Sequence, residues 1–234
     1  MEWEEIRKIH DWLPGTSEGW HQHPNGGGWI QDTTTVSSTA EISGNAVISD
    51  KAEISDNAEV FGNAVISDNA VIYDNAEVFG NAIISDNAVI YGEARISGEA
   101  RISGNAKISD NAVIFGEAII SDEAIISDNA IIYGEARISG NAVISGNARI
   151  WGDAEISDDA EIKKSSDFLC IGPIGSRDSY LTAFKTKTEI NIIAGCFIGT
   201  ITEFSEKLKT KTGNIYEDIY PSLVFLIQKQ LGGI

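Results

Sequence analysis

The chain has 234 residues, a mass of 25.2 kDa and a net charge of −18, with 35 acidic residues against 17 Lys and Arg. This acidity disfavours direct binding of nucleic acid or an anionic membrane, while a hydrophobic content of 42% is enough for a buried core. Only two cysteines, a charged start that does not resemble a signal peptide, and no apolar stretch of membrane-spanning length predict a cytoplasmic protein.

Residues 1–39 are predicted to form an N-terminal cap, because the open strand edge of the segment that follows must be covered. A short helix is expected over residues 2–13, ended by Pro14 and Gly15, and a loop from Thr16 through Trp29 leads to the repeats. Four apolar residues have helical spacing toward one face: Trp3, Ile6, Ile9 and Leu13.

All three histidines, His10, His21 and His23, lie in this segment. An extended segment could place the imidazoles of His21 and His23 on one side, as a metal site requires. A plain polar loop is the simpler interpretation, so neither a metal nor a cofactor is predicted.

Alanine recurs every six residues from Ala40 to Ala160, twenty-one times without interruption. The residue two places after each alanine is isoleucine, except for Val60 and Val78. This alternation predicts a short strand with both side chains on the buried face, and the Gly or Asp that follows is typical of a turn. Short strands separated by two-residue corners at a fixed period indicate a solenoid.

Residues 18 apart have matching types, which predicts three hexads and therefore three sides in each coil. One outward column is serine throughout, from Ser49 to Ser157. We therefore predict an all-β solenoid, a triangular parallel β-helix of about seven coils over residues 40–163, roughly 34 Å long. One corner is glycine throughout: Gly44, Gly62, Gly80, Gly98, Gly116, Gly134 and Gly152.

The hexad resembles the repeat of hexapeptide-repeat proteins, the left-handed parallel β-helix family of many acyltransferases and of γ-type carbonic anhydrases. The resemblance covers residues 40–163 and implies left-handed coils. The acyltransferases generally use a catalytic histidine, and the anhydrases hold zinc with three; the repeats here contain no histidine, which disfavours both activities. A looser resemblance to uncharacterised bacterial, phage and prophage members rests on Gly27-Gly28-Trp29, residues 171–177 and Gly195-Cys196-Phe197.

Large apolar residues at outward positions predict a partner-binding surface. A protein partner is expected, and self-association as a trimer or dimer is a further possibility. The column before the glycine corner provides one set of candidates, and two tyrosines on another side provide a second. The first set is Phe61, Phe79, Phe115, Tyr133 and Trp151 with neighbouring Val113 and Ile131; the second is Tyr73 and Tyr91.

A second corner is an acidic ladder interrupted by Gly104 and Gly140. Its carboxylates could bind Ca²⁺, but hydrogen bonding to the turn backbone is the ordinary role of aspartate at such positions. The members of the ladder are Asp50, Asp68, Asp86, Asp122 and Asp158.

Residues 164–234 are predicted to be a small α+β module. Strands are expected over 167–171, 180–186 and 189–194, and helices over 202–209 and 216–231. The glycine-rich segment Gly172–Arg177 is interpreted as a hairpin turn rather than an anion site. Whether the module only caps the solenoid or also binds a ligand stays open. Four residues of the last helix are expected to face the core: Leu223, Leu226, Ile227 and Leu231.

These features favour a non-catalytic interaction or scaffold protein, an acidic rod with aromatic stripes. The phage resemblance suggests a sharper form, an inhibitor of a host protein involved in defence or nucleic-acid handling, acting in the host cytoplasm. Two alternatives remain: an acyltransferase with a CoA-linked donor and a base other than histidine, and a structural component of a virion.

Overall fold

The computed structural model describes residues 2–174, 179–209 and 219–232. Residues 40–163 form a triangular β solenoid in which each strand pairs in parallel with the strand 18 residues further along. Val65 and Ile66, for example, pair with Ile83 and Ile84. The three-sided coil of 18 residues is therefore confirmed. The solenoid makes about eight turns rather than the predicted seven, because strands N-terminal to Ala40 add a turn.

Each side of the solenoid is one sheet, parallel except for the first strand pair of the serine face, and is named by its outward residues. The serine face contains β1 (Trp20–Gln22), β2 (Trp29–Gln31), β5 (Val47–Ile48), β8 (Val65–Ile66), β11 (Ile83–Ile84), β14 (Arg101–Ile102), β17 (Ile119–Ile120), β20 (Arg137–Ile138) and β23 (Glu155–Ile156). The aromatic face contains β4 (Glu41–Ile42), β7 (Glu59–Val60), β10 (Glu77–Val78), β13 (Arg95–Ile96), β16 (Val113–Ile114), β19 (Ile131–Ile132) and β22 (Arg149–Ile150). The tyrosine face contains β3 (Thr35–Val36), β6 (Glu53–Ile54), β9 (Val71–Ile72), β12 (Val89–Ile90), β15 (Lys107–Ile108), β18 (Ile125–Ile126), β21 (Val143–Asn147) and β24 (Glu161–Lys164).

The interior consists of stacked alanine and aliphatic side chains. From Ala40 to Ile162, every hexad alanine and the aliphatic residue two places after it is at most 1% exposed. Each buried isoleucine contributes on the order of 1.5–3 kcal/mol before conformational entropy is subtracted. The corners turn through left-handed backbone; at Gly98 (φ +72°) an added Cβ would lie 2.7 Å from the Gly116 nitrogen.

The N-terminal segment closes the first coil. Helix α1 (Trp3–Ile9) buries Trp3 and Ile6 against the start of the serine face, and Leu13 joins the same cluster. Ile9, expected on this apolar face, is 42% exposed instead, because the helix ends at that residue.

Solenoid strands begin N-terminal to the alanine repeats. The expected loop from Thr16 through Trp29 contains β1, which pairs antiparallel with β2 as a hairpin. β2 pairs in parallel with β5, and β3 pairs with β6. The His10 imidazole donates from Nε2 to the Asn45 carbonyl at 2.9 Å, and Asn25 Nδ2 donates to the Ala40 carbonyl at 2.8 Å. These two side chains tie the N-terminal segment to the first coil of the repeats.

The C-terminal module caps the other end of the solenoid. Strands β25 (Phe168–Ile174), β26 (Ser179–Lys185), β27 (Ile190–Ala194) and β28 (Phe197–Thr200) form an antiparallel sheet, preceded by a 3-10 helix (Ser165–Asp167) and followed by α2 (Ile201–Lys209) and α3 (Ile219–Leu231). One side of the sheet joins the solenoid core through Phe168, Phe184 and Ile193, and the other packs against α2 and α3.

Side-chain acceptors replace the next coil at this end. Asp167 Oδ2 accepts hydrogen bonds from the Lys163 and Lys164 amides, both at 3.1 Å. Thr182 Oγ1 accepts from the Glu155 amide at 3.1 Å. The terminal strand edges are thereby tied to the module.

The module differs from the sequence expectation in two details. It has a fourth strand, β28, and Leu226 is 45% exposed while Val224 is buried in its place. The expected hairpin forms between β25 and β26, but its turn and residues 216–218 of the predicted helix lie outside the described residues. Within the described residues, no helix is long and apolar enough to cross a membrane.

Candidate functional site

The aromatic face places large rings at one outward position of successive coils. Because the strands are in register, the rings stack along the solenoid axis. The centroids of Phe61 and Phe79 are 4.8 Å apart with planes 2° from parallel, and those of Phe115 and Tyr133 are 5.2 Å apart at 5°. Trp151 lies in the next coil and meets Phe168 of the C-terminal module edge to face at 5.0 Å.

These rings form an accessible apolar strip. Phe115 is 40% exposed and Trp151 is 42% exposed, while Phe61, Phe79 and Tyr133 are half-buried. Val113 and Ile131 are half-buried beside them on β16 and β19. The structure thus brings seven of the nine candidate residues together on a single face.

The other two candidates form a separate pair on the tyrosine face. The rings of Tyr73 and Tyr91 stack at 5.1 Å with planes 2° apart. Desolvation raises the pKa of Tyr73, and the nearby Tyr91 and Asp74 groups raise it further. The Tyr73 hydroxyl is therefore held in its neutral form.

An acidic row that the sequence analysis missed runs beside the aromatic strip. Glu99, Glu117, Glu135 and Asp153 each follow a glycine of the glycine corner, one coil apart. The three glutamates are exposed and make no ion pair within the described parts of the chain. The period of 18 residues contains this signal, but the column changes from asparagine at Asn45, Asn63 and Asn81 to acids only in its second half.

The acidic ladder is a row of backbone caps. Asp86 Oδ2 accepts from the Gly104 amide at 3.1 Å, and Asp122 Oδ2 accepts from the Gly140 amide at 3.0 Å. Asp68 Oδ2 likewise accepts from the Asp86 amide at 3.3 Å. Across the described residues, no group of three or more His, Cys, Asp or Glu side chains is placed to hold a metal ion. A third corner has the same caps, also missed from the sequence: Asp56, Asp74, Asp110 and Asp128.

The histidines do not form one site. His21 is exposed, with Nδ1 2.7 Å from Asp32 Oδ1, whereas His23 is buried with Nδ1 3.0 Å from the Asn25 carbonyl oxygen. His10 is committed to capping the first coil. The two histidines considered for a metal site thus have different partners.

A cleft of about 370 Å³ lies on the surface where the last coil meets the C-terminal module. A hydrogen bond to Asp153 and the charge of that carboxylate raise the pKa of Tyr180. Burial raises the pKa of the neighbouring Cys170 thiol, partly offset by a hydrogen bond from Thr182. Both groups keep their protons near neutral pH, so neither is activated as a nucleophile or base. The cleft is lined by Asp153, Glu155, Ser179, Tyr180, Gly195 and Cys196.

Comparison with known proteins gives limited similarity. A family model described as the YdcK beta solenoid repeat matches residues 136–152. Among solved structures, UDP-N-acetylglucosamine acyltransferase from Campylobacter jejuni is similar over 87% of this chain and 94% of that chain, with 12% identity and a TM-score of 0.34. No curated protein matches the sequence.

Proposed function

We propose that this protein is a non-catalytic interaction protein that docks a partner protein on its aromatic face. The observation that supports the proposal is the strip of stacked, partly exposed rings between β7 and β22. Aromatic side chains are enriched at the centres of protein interfaces because they bury a large area with little loss of side-chain entropy. Stacking fixes each ring in advance, which lowers the entropic cost of binding further.

The charge around the strip selects the kind of partner. Residues 40–163 contain 22 acidic and 7 basic residues, a net charge of −15. Glu99, Glu117 and Glu135 place part of that charge directly beside the rings. A partner with a basic, partly apolar surface is therefore favoured, and long-range attraction would speed its encounter with the rod.

A sharper form of the proposal is inhibition of a host protein that handles nucleic acid. Duplex DNA has one phosphate charge per about 1.7 Å, or about 20 charges over the roughly 34 Å of the repeats. The rod is rigid, and its charge per unit length is therefore of the same order as that of duplex DNA. Competition between the rod and DNA for one basic surface is the expected mechanism, and displacement of labelled DNA from the captured protein is its test.

Capture of a partner from host lysate tests the docking face. The triple variant Phe115→Ser, Tyr133→Ser, Trp151→Ser should lose the captured protein while keeping its far-UV circular dichroism. The matched control replaces outward aliphatic residues of the serine face: Val65→Ser, Ile83→Ser and Ile119→Ser should retain capture. Equal capture by both variants would refute docking on the aromatic face, and acyl transfer from acetyl-CoA would refute a non-catalytic role.

A further inference from the structure

The row of rings on the aromatic face has one gap, at Ser97. Phe79 lies one coil before Ser97 and Phe115 lies one coil after it. Within the described residues, Phe79 stacks on Phe61 and Phe115 stacks on Tyr133, and no ring stacks across Ser97. The two rings are therefore separated by two strand spacings, about 9.6 Å. Ser97 is the floor of the slot between them.

The width of the slot fits one planar group. A group midway between the two rings would lie about 4.8 Å from each centroid, given the strand spacing. The rings that are already stacked in this column have centroid separations of 4.8 and 5.2 Å. Phe115 is 40% exposed and Phe79 is half-buried, so both rings that bound the slot are accessible to solvent.

The sides of the slot differ in charge. On the strand side, the charge of Arg95 is neutralised by an ion pair, since its Nη2 donates to Glu77 Oε2 at 2.7 Å. On the corner side, the exposed Glu99 carboxylate makes no ion pair within the described residues, and Glu117 follows it one coil later. The slot therefore has two aromatic faces, a hydroxyl floor and a negative edge.

We propose that this slot binds the guanidinium group of an arginine side chain from the partner protein. Guanidinium is planar, stacks on aromatic faces and is more weakly hydrated than an ammonium group. Its N–H groups can donate to Glu99 at the edge and to the Ser97 hydroxyl at the floor. This inference rests on the proposed function and specifies the chemistry of the partner: an exposed arginine within a basic surface.

Arginine both fills the space between the two rings and pairs with the Glu99 carboxylate, whereas other side chains do only one of these. A phenyl or indole ring would fill the space between Phe79 and Phe115 but would leave Glu99 unpaired. A lysine ammonium would pair with Glu99 but has no plane to fill the gap between the rings. Discrimination between these three side chains is therefore the sharpest test.

The test uses the full-length protein and three small probes: N-acetyl-arginine amide, N-acetyl-lysine amide and N-acetyl-phenylalanine amide. Binding is measured from the amide chemical shifts of Ser97, Gly98 and Phe115. Arginine should give saturable shifts in the millimolar range, with at least fivefold weaker binding of the other two probes. Glu99→Gln should weaken arginine binding severalfold, and Ser97→Phe should abolish it by filling the slot.

Ser103→Phe is the matched control, because it adds the same side chain at the equivalent position of the serine face, between Ser85 and Ser121. It should bind arginine like the wild type. Ser97→Phe should also have a higher melting temperature than Ser103→Phe, since only its ring stacks on two others; this checks that the variant is folded.

Several outcomes would overturn the inference. One is lysine or phenylalanine amide binding as tightly as arginine amide, and another is arginine binding that is unaffected by Ser97→Phe. The absence of any arginine binding to the wild type is the third. If the partner is still captured by Ser97→Phe but not by Tyr133→Ser, Trp151→Ser, the slot proposal fails while docking on the aromatic face stands.

Discussion

The carboxylate of Asp128 accepts a hydrogen bond from the amide of Gly146, one full coil further along the chain, at 2.8 Å. Asp128 has a left-handed backbone (φ 57°) at its corner, as do eight other aspartates of the solenoid. One residue thus makes the corner and satisfies the donor of the next corner. The corner aspartates that cap the next coil in this way therefore have a structural role.

Removal of one such cap should destabilise the solenoid measurably. Asp128→Ala should lower the free energy of unfolding by about 2 kcal/mol. It loses a hydrogen bond of about 1 kcal/mol, and alanine lacks the polar side chain that makes aspartate tolerant of left-handed backbone. Asp128→Asn keeps an acceptor oxygen and tolerates this conformation, so it should stay within about 0.5 kcal/mol of wild type. Urea denaturation measures the free energy of unfolding of both variants, and an equal loss of stability in the two would contradict the capping role.

A polar substitution in the interior should lower the stability of the solenoid far more than the same substitution on the adjacent surface. Ile108 is fully buried, whereas Lys107, its neighbour on β15, is exposed. Ile108→Asn should lower stability by about 3–5 kcal/mol, because apolar burial is lost and an amide is buried without a partner. Lys107→Asn should change stability by less than about 0.5 kcal/mol. Melting temperatures that fall equally in both variants would contradict the assigned alternation.

The attachment of the C-terminal module should depend on Asp167. This carboxylate accepts from two backbone amides, and its Oδ1 lies 3.4 Å from Lys185 Nζ. Asp167→Ala removes the acceptor of two partly buried amides and one partner of the Lys185 ion pair, and should cost roughly 2–4 kcal/mol. Faster hydrogen exchange is expected at residues 163–174. Glu161→Ala, which removes only a surface contact to Lys163 at 3.7 Å, should leave exchange there unchanged.

The two thiols should differ in reactivity. Burial raises the pKa of Cys170, so a smaller fraction of it is thiolate at a given pH than for an ordinary cysteine. Cys196 is exposed on the turn between β27 and β28. Iodoacetamide should therefore modify Cys196 first, and modification of Cys170 should increase only at higher pH. Mass spectrometry of the Cys170→Ser and Cys196→Ser variants resolves the two rates, and equal rates at pH 8 would contradict this assignment.

The repeats could be read from the sequence because the information in them is local and repeated. The alternation from Ala40 to Ile162 identifies the buried face, and the uniform glycine corner identifies the number of hexads in a coil. The stacking of Phe61 on Phe79 then follows, since residues in register on parallel strands are direct neighbours.

The ends were harder to predict because they lack a repeat. Trp29 joins the serine face through pairing with Val47, and nothing in the local sequence distinguishes that from a loop. On α3, the choice between Leu226 and Val224 as the buried residue depends on how the helix lies against the four-stranded sheet.

The sequence by itself determined the coil, its core and the order of residues along each face, since these depend only on spacing within the chain. The tertiary structure decided which donor each aspartate caps, how Asp167 and Thr182 close the last coil, and that Ser97 is the floor of a slot between two rings. These features depend on axial distance and side-chain direction between residues in different coils. Such distances are fixed only when the coils pack on one another.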